Sequence, residues 1–313
     1  YYIKNTRIFA MKDLLQIRGL SPDQIKSILD RADEYFGIVT AGRKPFPKLK
    51  DRSVITLFYE NSTRTRASFE SAAKYLGAEV VNLSVAASSV QKGESLKDTA
   101  LTLDALCPDA IVMRHAQSGA PHRLAGWVRA HVINGGDGLH AHPTQALLDM
   151  FTARRHFGTL EGRTAAIIGD IEHSRVARSN IYAMSLLGMK VKLYGPKTLM
   201  PSDMDGMPCT VCAGMEEALE GADIVMALRI QLERMKGGLF PSAGEYNKYF
   251  GLSKRTMELA NKGAIIMHPG PVNRGVELSH DVLDTPVCFK DIQVTGGLCV
   301  RMALLDMLIG GEL

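Results

Sequence analysis

Apolar and polar positions along this chain change rhythm many times. Short apolar runs alternate with longer stretches in which apolar positions recur every three or four residues, the signatures of buried strands and amphipathic helices. Ser21-Pro-Asp opens the first helix, with Ser21 as N-cap and Pro22 at the first position, and Ile25, Ile28, Leu29, Ala32 and Phe36 share its inner face. The basic, proline-containing segment Ala41–Lys50 reads as a connection. From Ser53 onward the spacing predicts a strand over 53–58, a helix over 63–76 stopped by Gly77, a strand over 79–83, a polar loop at Ser84–Gly93 and a helix carrying Leu96, Ala100, Leu103 and Leu106. A strand over 110–113, a helix over 121–130 with the single Trp127, and a strand over 131–134 before the turn Gly135-Gly-Asp-Gly138 complete this half.

A helix over 143–157 then bridges to a second round of alternation. Strands are expected at 164–169, 190–194, 223–227 and 263–267, with helices over 174–187 and 253–261. A last helix, 295–308, is expected to pack back on the first half. Repeated strand–helix alternation with short connections means parallel sheets covered on both faces. The predicted fold is α/β: two doubly wound parallel-sheet domains joined by interdomain helices. Residues 1–142 with the C-terminal helix 295–313 form the first and residues 143–294 the second. Ligands of such sheets sit beyond the carboxyl ends of the strands, here in a cleft between the domains.

Composition changes this picture little. With 313 residues, 46% hydrophobic and 22% charged, the chain has the make-up of a soluble globular protein of two domains. A net charge of +4 without a basic block or zinc-finger spacing gives no reason to expect nucleic acid. Five unpatterned cysteines suit a reducing, cytoplasmic compartment. The lone Cys209-Thr-Val-Cys212 lacks the further ligands that zinc needs and reads as a short strand, so no metal is expected. No apolar run approaches the ~20 residues of a membrane span, and the first ten residues lack a signal core. Met11 is a candidate start; whether Tyr1–Ala10 is native stays open. The turn Gly169-Asp-Ile-Glu-His-Ser174 lacks the glycines of a dinucleotide fingerprint, so no nicotinamide cofactor is expected, nor any other.

The chemistry concentrates where strands end. Ser62-Thr-Arg-Thr65 and Arg66 follow the first strand and open a helix, whose unpaired N–H groups and positive dipole end suit a phosphate. The plainer reading makes Ser62 an N-cap and the arginines solvated charge. Arg114-His115, His142-Pro-Thr-Gln145, His173-Ser-Arg175, Arg229-Ile-Gln231 and His268-Pro-Gly-Pro271 each follow a later strand. Each alone fits a structural role; together they describe cations and hydrogen-bond donors lining one site. Four arginines, Arg64, Arg114, Arg175 and Arg229, imply substrates with several negative charges. Glu60 and Asp170 lie nearby without an evident His partner, and no activated nucleophile is visible. Such a site works by positioning and charge stabilisation.

The motif Phe58-x-Glu-x-Ser-Thr-Arg-Thr65, with His142-Pro-Thr-Gln145, Arg229-Ile-Gln231-x-Glu-Arg234 and His268-Pro-Gly-Pro271, resembles the aspartate/ornithine carbamoyltransferase family from about Met11 to the C-terminus. His142-Pro-Thr-Gln145 is similar to the aspartate-type version of a motif that ornithine enzymes write H-P-C-Q. The resemblance implies transfer of a carbamoyl group from carbamoyl phosphate to L-aspartate, an early step of pyrimidine synthesis. It implies that Ser62, Thr63, Arg64, Thr65 and Arg114 hold the phosphate, and that Thr65, Arg114 and His142 face the carbonyl oxygen. Gln145, Gly270 and Pro271 would hold the carbamoyl nitrogen, and Arg175, Arg229 and Gln231 the aspartate carboxylates. The loop Ser88–Glu94 resembles one that a neighbouring subunit inserts, bringing Ser88 and Lys92, so a homotrimer with shared sites is implied. Regulatory chains or dihydroorotase are partners that the resemblance leaves open. Gly296-Gly297 and Val176 depart from the common family pattern without touching these principal roles. Two other readings are transfer to another amine such as ornithine, and a catalytically silent homologue that serves assembly.

Overall fold

A computed structural model describes residues 11–42, 46–84, 94–230 and 242–311. The chain divides into two compact units, Tyr1–Leu147 with Thr295–Leu313, and Leu148–Val294.

In the first unit, β1 (Ser53–Phe58), β2 (Glu79–Ser84), β3 (Ala110–His115) and β4 (His131–Asp137) form one parallel sheet in the order β2-β1-β3-β4. Strands buried on both faces are nearly all apolar rather than alternating, as Val54-Ile-Thr-Leu-Phe58 is, whose one polar group, the Thr56 hydroxyl, donates to Asn82 Oδ1 at 2.6 Å. Helices α2 (Thr63–Tyr75), α3 (Leu96–Ala105) and α4 (Ala120–Ala125) make the crossovers. Ile55, Leu57, Leu103, Ile111, Met113 and Leu124 are central to one core cluster. Each such side chain contributes roughly 1.5–3 kcal/mol by leaving water. Gly77 ends the α2 segment at φ +80°, and a Cβ there would stand 3.0 Å from the Pro47 Cα, so glycine is required for both space and conformation.

Helix α1 (Pro22–Thr40) is closed at its start by a reciprocal capping box between Ser21 and Gln24. Its buried face is Ile25, Ile28, Leu29, Ala32 and Tyr35, so Tyr35 takes the inward place expected of Phe36. The reason is a partner for its hydroxyl: Tyr35 donates to Asp306 Oδ2 at 2.7 Å. Asp306 belongs to the last helix, α11 (Lys290–Gly310), which starts five residues before the expected Thr295. At 21 residues α11 is long and apolar enough to cross a membrane, contrary to the sequence expectation, yet most of it is buried within the described fold, as in a core helix.

The second unit carries a five-stranded sheet in the order β7-β6-β5-β8-β9, again parallel. Its strands are β5 (Thr164–Ile168), β6 (Lys190–Tyr194), β7 (Thr210–Val211), β8 (Ile224–Ala227) and β9 (Ile265–Met267). Helices α5 (Pro143–Phe157) and α11 each contribute residues to both units. Helices α6 (Arg175–Leu186), α7 (Met215–Leu219), α8 (Ala243–Phe250), α9 (Lys254–Met257) and α10 (His280–Leu283) complete it. β7 lies between Cys209 and Cys212, and all five cysteines are free.

Three further expected element boundaries need correction. The helix expected over 121–130 stops at Ala125, where Gly126 closes it. The glycine turn expected at 135–138 is mostly the end of β4, which runs on to Asp137 with a shift of register against β3; Gly136, at φ +117°, donates its N–H to Asn134 Oδ1 at 2.8 Å. The helix expected over 253–261 shrinks to α9, a single turn held by a Ser253–Thr256 capping box.

Candidate active site

In the first sheet the chain leaves β1 toward β2 on one side and β3 on the other, so the switch point falls between β1 and β3. Both strands deliver cations there. Ser62 occupies the N-cap of α2, but its side chain makes no capping bond, so a purely structural N-cap is not what the geometry shows. Arg64 is exposed, Arg66 half-buried and Thr65 only 7% exposed. Arg114 pairs in register with Phe58 and lies inside β3 rather than beyond it, a correction to the predicted strand end. Its guanidinium donates from Nη1 to Gly135 O at 3.2 Å, and its Nε lies 3.4 Å from Glu60 Oε2. The ion pair and the carbonyl fix the guanidinium plane, as bidentate anion recognition requires.

His115 follows. Its Nδ1 accepts the Gln117 N–H at 2.9 Å and its ring lies against Tyr59. Burial pushes its pKa below the ordinary histidine range. At the end of β4 the chain turns to α5. His142 stands immediately before the helix, its carbonyl accepting the Gln145 N–H at 3.0 Å. His142 and Gln145 are both mostly buried, at 5% and 8% exposure. The first unit therefore brings Ser62, Thr63, Arg64, Thr65, Arg114, His142 and Gln145 to the carboxyl ends of β1, β3 and β4.

In the second sheet the switch point falls between β5 and β8. After β5, Ser174 caps α6 by accepting the Ala177 N–H at 3.0 Å, which places Arg175 in the first turn, buried at 8% exposure. Asp170 has a histidine partner after all: its Oδ1 lies 3.0 Å from His173 Nδ1 and accepts the His173 N–H at 3.1 Å. A turn of three residues closes that contact, which strand–helix spacing alone does not reveal. After β8 comes Arg229, half-buried. The next residue, Ile230, is gripped on both sides: its N–H donates to Glu277 Oε1 at 2.7 Å, and its carbonyl accepts from Asn273 Nδ2 at 2.8 Å. Burial pushes the Glu277 carboxyl above the usual range, against the pull of the N–H groups it accepts.

After β9, Gly270 N–H donates to His268 Nδ1 at 2.8 Å, and Gly270–Pro271 is a cis peptide. The His268 N–H donates to Gln293 Oε1 at 3.0 Å; Gln293 in turn donates to Asp149, which also accepts from Asn180. The second unit therefore brings Arg175, Arg229, Gly270 and Pro271 to the carboxyl ends of β5, β8 and β9. Ser88, Lys92, Gln231 and Arg234 lie outside the described residues. The supporting groups Glu277, Asn273, Gln293, Asp149 and Asn180 escape sequence reasoning, since their partners are distant in the chain. Only the buried carboxylate within an apolar stretch, Val276-Glu-Leu278, signals one of them.

Comparison with known proteins agrees with this geometry. Residues 12–155 match the family described as "Aspartate/ornithine carbamoyltransferase, carbamoyl-P binding domain", and residues 161–308 match "Aspartate/ornithine carbamoyltransferase, Asp/Orn binding domain". The aspartate carbamoyltransferase catalytic subunit of Acetivibrio thermocellus is 55% identical over 301 residues, 96% of each chain. That of Gluconobacter oxydans is 55% identical over 298 residues, 95% of each. Among solved structures, aspartate transcarbamoylase from Trypanosoma cruzi in complex with carbamoyl phosphate superposes with a TM-score of 0.85 at 31% identity, covering 94% of this chain and 95% of that one. Ornithine carbamoyltransferase from Pyrococcus furiosus gives 0.86 at 28% identity, covering 96% and 98%. The chain belongs to the aspartate/ornithine carbamoyltransferase family.

Proposed function

We propose that this protein is an enzyme that transfers the carbamoyl group of carbamoyl phosphate to the amine of L-aspartate, giving N-carbamoyl-L-aspartate and phosphate. One observation carries the reading. The switch points of both sheets present arginines whose surroundings are fixed, in a chain more than half identical to relatives named for this reaction.

The chemistry follows from the residues. Ser62, Thr63, Arg64 and Thr65 meet the phosphate at the α2 start, with Arg114 as a second clamp held by Glu60. Thr65, Arg114 and His142 face the carbonyl oxygen and stabilise the charge that grows on it as the amine attacks; one such donor is typically worth about 10²–10³-fold in rate. Gln145, Gly270 and Pro271 hold the carbamoyl nitrogen. Arg175, Arg229 and Gln231 take the two carboxylates of aspartate, which suits a dicarboxylate better than the cationic side chain of ornithine. The departing phosphate accepts the amine proton, so the site needs no strong protein base. Ser88 and Lys92 come from a neighbouring copy, making the working form a homotrimer. The product places the enzyme early in pyrimidine synthesis, and the free cysteines suit a reducing cytoplasm.

The decisive assay supplies the purified chain with carbamoyl phosphate and either aspartate or ornithine. Formation of carbamoyl aspartate alone supports the reading; citrulline formation, or no product, overturns it. Sharing between copies has its own test. Lys92→Ala and Arg229→Ala chains, each inactive, regain part of the activity when mixed, through sites free of both changes. No recovery on mixing argues against a shared site.

A further inference from the structure

Within the first unit, three side chains that take no part in the proposed transfer gather around one point. His122 stands on α4, Asp137 ends β4, and His140 lies in the turn that follows. One ligand-type atom from each lies within 4.8 Å of the other two. His140 Nδ1 is 3.0 Å from Asp137 Oδ2, and the two imidazoles meet edge to face with ring centroids 5.4 Å apart. Nδ1 of His122 is buried and makes no hydrogen bond among the described residues.

The surroundings hold these groups in place. Asp137 is fully buried and accepts the N–H of Gly119, just before α4, at 2.6 Å. It also accepts the Ala141 N–H at 3.1 Å and Asn134 Nδ2 at 2.7 Å, so four polar partners, His140 included, keep it a fixed acceptor. Gly138 has φ +44°, and a Cβ there would fall 2.4 Å from Ser118 Oγ. The turn and the approach to α4 are thus pressed together, each delivering one imidazole to the same buried carboxylate.

Two imidazoles and a carboxylate are donors that suit zinc and its neighbours in the first transition row. Tetrahedral zinc holds N and O donors at about 2.0–2.2 Å, which sets them about 3.3–3.5 Å from one another. The His140–Asp137 pair already has nearly that spacing, and the third donor needs to close by no more than about 1.5 Å. We propose that His122, Asp137 and His140 form a binding site for a divalent transition-metal ion of the zinc class, with one position left to water. On binding, the proton shared by His140 and Asp137 passes to solvent and the metal takes its place. The ion ties α4 to the turn that leads into His142.

The test uses the full chain, freed of metal by chelation, and titrated with Co²⁺ and with Zn²⁺ against a chromophoric chelator. One equivalent of Co²⁺ with the intense visible bands of tetrahedral coordination is expected, displaced by Zn²⁺. His122→Gln and His140→Gln should each weaken uptake at least tenfold while keeping the circular dichroism and carbamoyl transfer of the parent. A Cys209→Ser/Cys212→Ser double variant should bind as the parent does. No uptake by the parent, uptake unchanged in both histidine variants, or loss of uptake in the cysteine variant overturns the proposal.

Discussion

Glu277, at 1% exposure, accepts the backbone N–H of Ile230 at 2.7 Å, and so fixes the residue between Arg229 and Gln231. The same carboxylate accepts the N–H of Asn273 at 2.8 Å and its side-chain amide at 2.7 Å. One buried acid therefore joins the segment after β8 to the loop after β9. Its burial is costly, and the bonds it accepts offset that cost.

Glu277 acts through position rather than through contact with substrate. We predict that Glu277→Gln raises the KM for aspartate by about tenfold or more, because the amide cannot accept at all of the donors and Ile230 is released. The KM for carbamoyl phosphate should stay near the parent value. Steady-state kinetics with each substrate varied separately decides the point: equal rises in both constants would mean general damage instead.

Arg64 gives the opposite combination of effects. It is exposed, so its removal should leave the fold stable to within about 0.5 kcal/mol. It stands in the first turn of α2, where the proposed reaction places the phosphate, so Arg64→Ala should lower kcat by at least about 10²-fold. Melting curves and initial rates on the same preparation separate the two. A variant that keeps full activity would remove Arg64 from the site.

Much of this was legible in the sequence because strands of a parallel sheet announce themselves. Val54–Phe58 and Thr164–Ile168 are apolar runs, and the residues after them fall at carboxyl ends whatever the detailed packing. Arg175 and Arg229 were placed on that ground alone. What pattern could not supply was tertiary partnership. Nothing near Tyr35 announces Asp306, and nothing near Asp149 announces Asn180 and Gln293. The end of β4 was missed for a related reason. Two glycines read as a turn, yet the strand runs on through them with a shift of register, Gly136 standing at φ +117° with its N–H on Asn134 Oδ1. The metal-type cluster was hidden because His122 and His140 meet only through the fold.

Asp306 anchors α11 to α1 within the first unit. It is 4% exposed, accepts from Tyr35 and lies 3.1 Å from Lys48 Nζ and 3.4 Å from Arg31 Nη1. Asp306→Ala takes the acceptor from the buried Tyr35 hydroxyl and one carboxylate from Lys48 and Arg31, the latter keeping Glu34 at 3.5 Å, so we predict a loss of about 1–3 kcal/mol in denaturant unfolding. Asp306→Asn, which keeps an acceptor for Tyr35, should lose less. Equal losses in the two variants would place the effect in the carboxylate charge, which both lack, rather than in the hydrogen bond to Tyr35.

His115 supplies a pH dependence whose sign is fixed by its surroundings. Burial depresses its pKa, and Nδ1 already accepts the Gln117 N–H, which a protonated nitrogen could not do. The folded state therefore takes up the proton at lower pH than the unfolded chain, whose histidine titrates near pH 6.5. This contribution to stability is complete above the unfolded pKa and is lost as pH falls through the folded one. We predict that unfolding free energy declines as pH falls below about 6.5, and that His115→Gln flattens the decline, since glutamine offers the Gln117 N–H an acceptor that does not titrate. Urea unfolding at half-unit steps of pH measures both slopes. If the variant and parent curves run parallel, His115 is titrating alike in both states and the buried, hydrogen-bonded imidazole is not what sets the acid limit of the first unit.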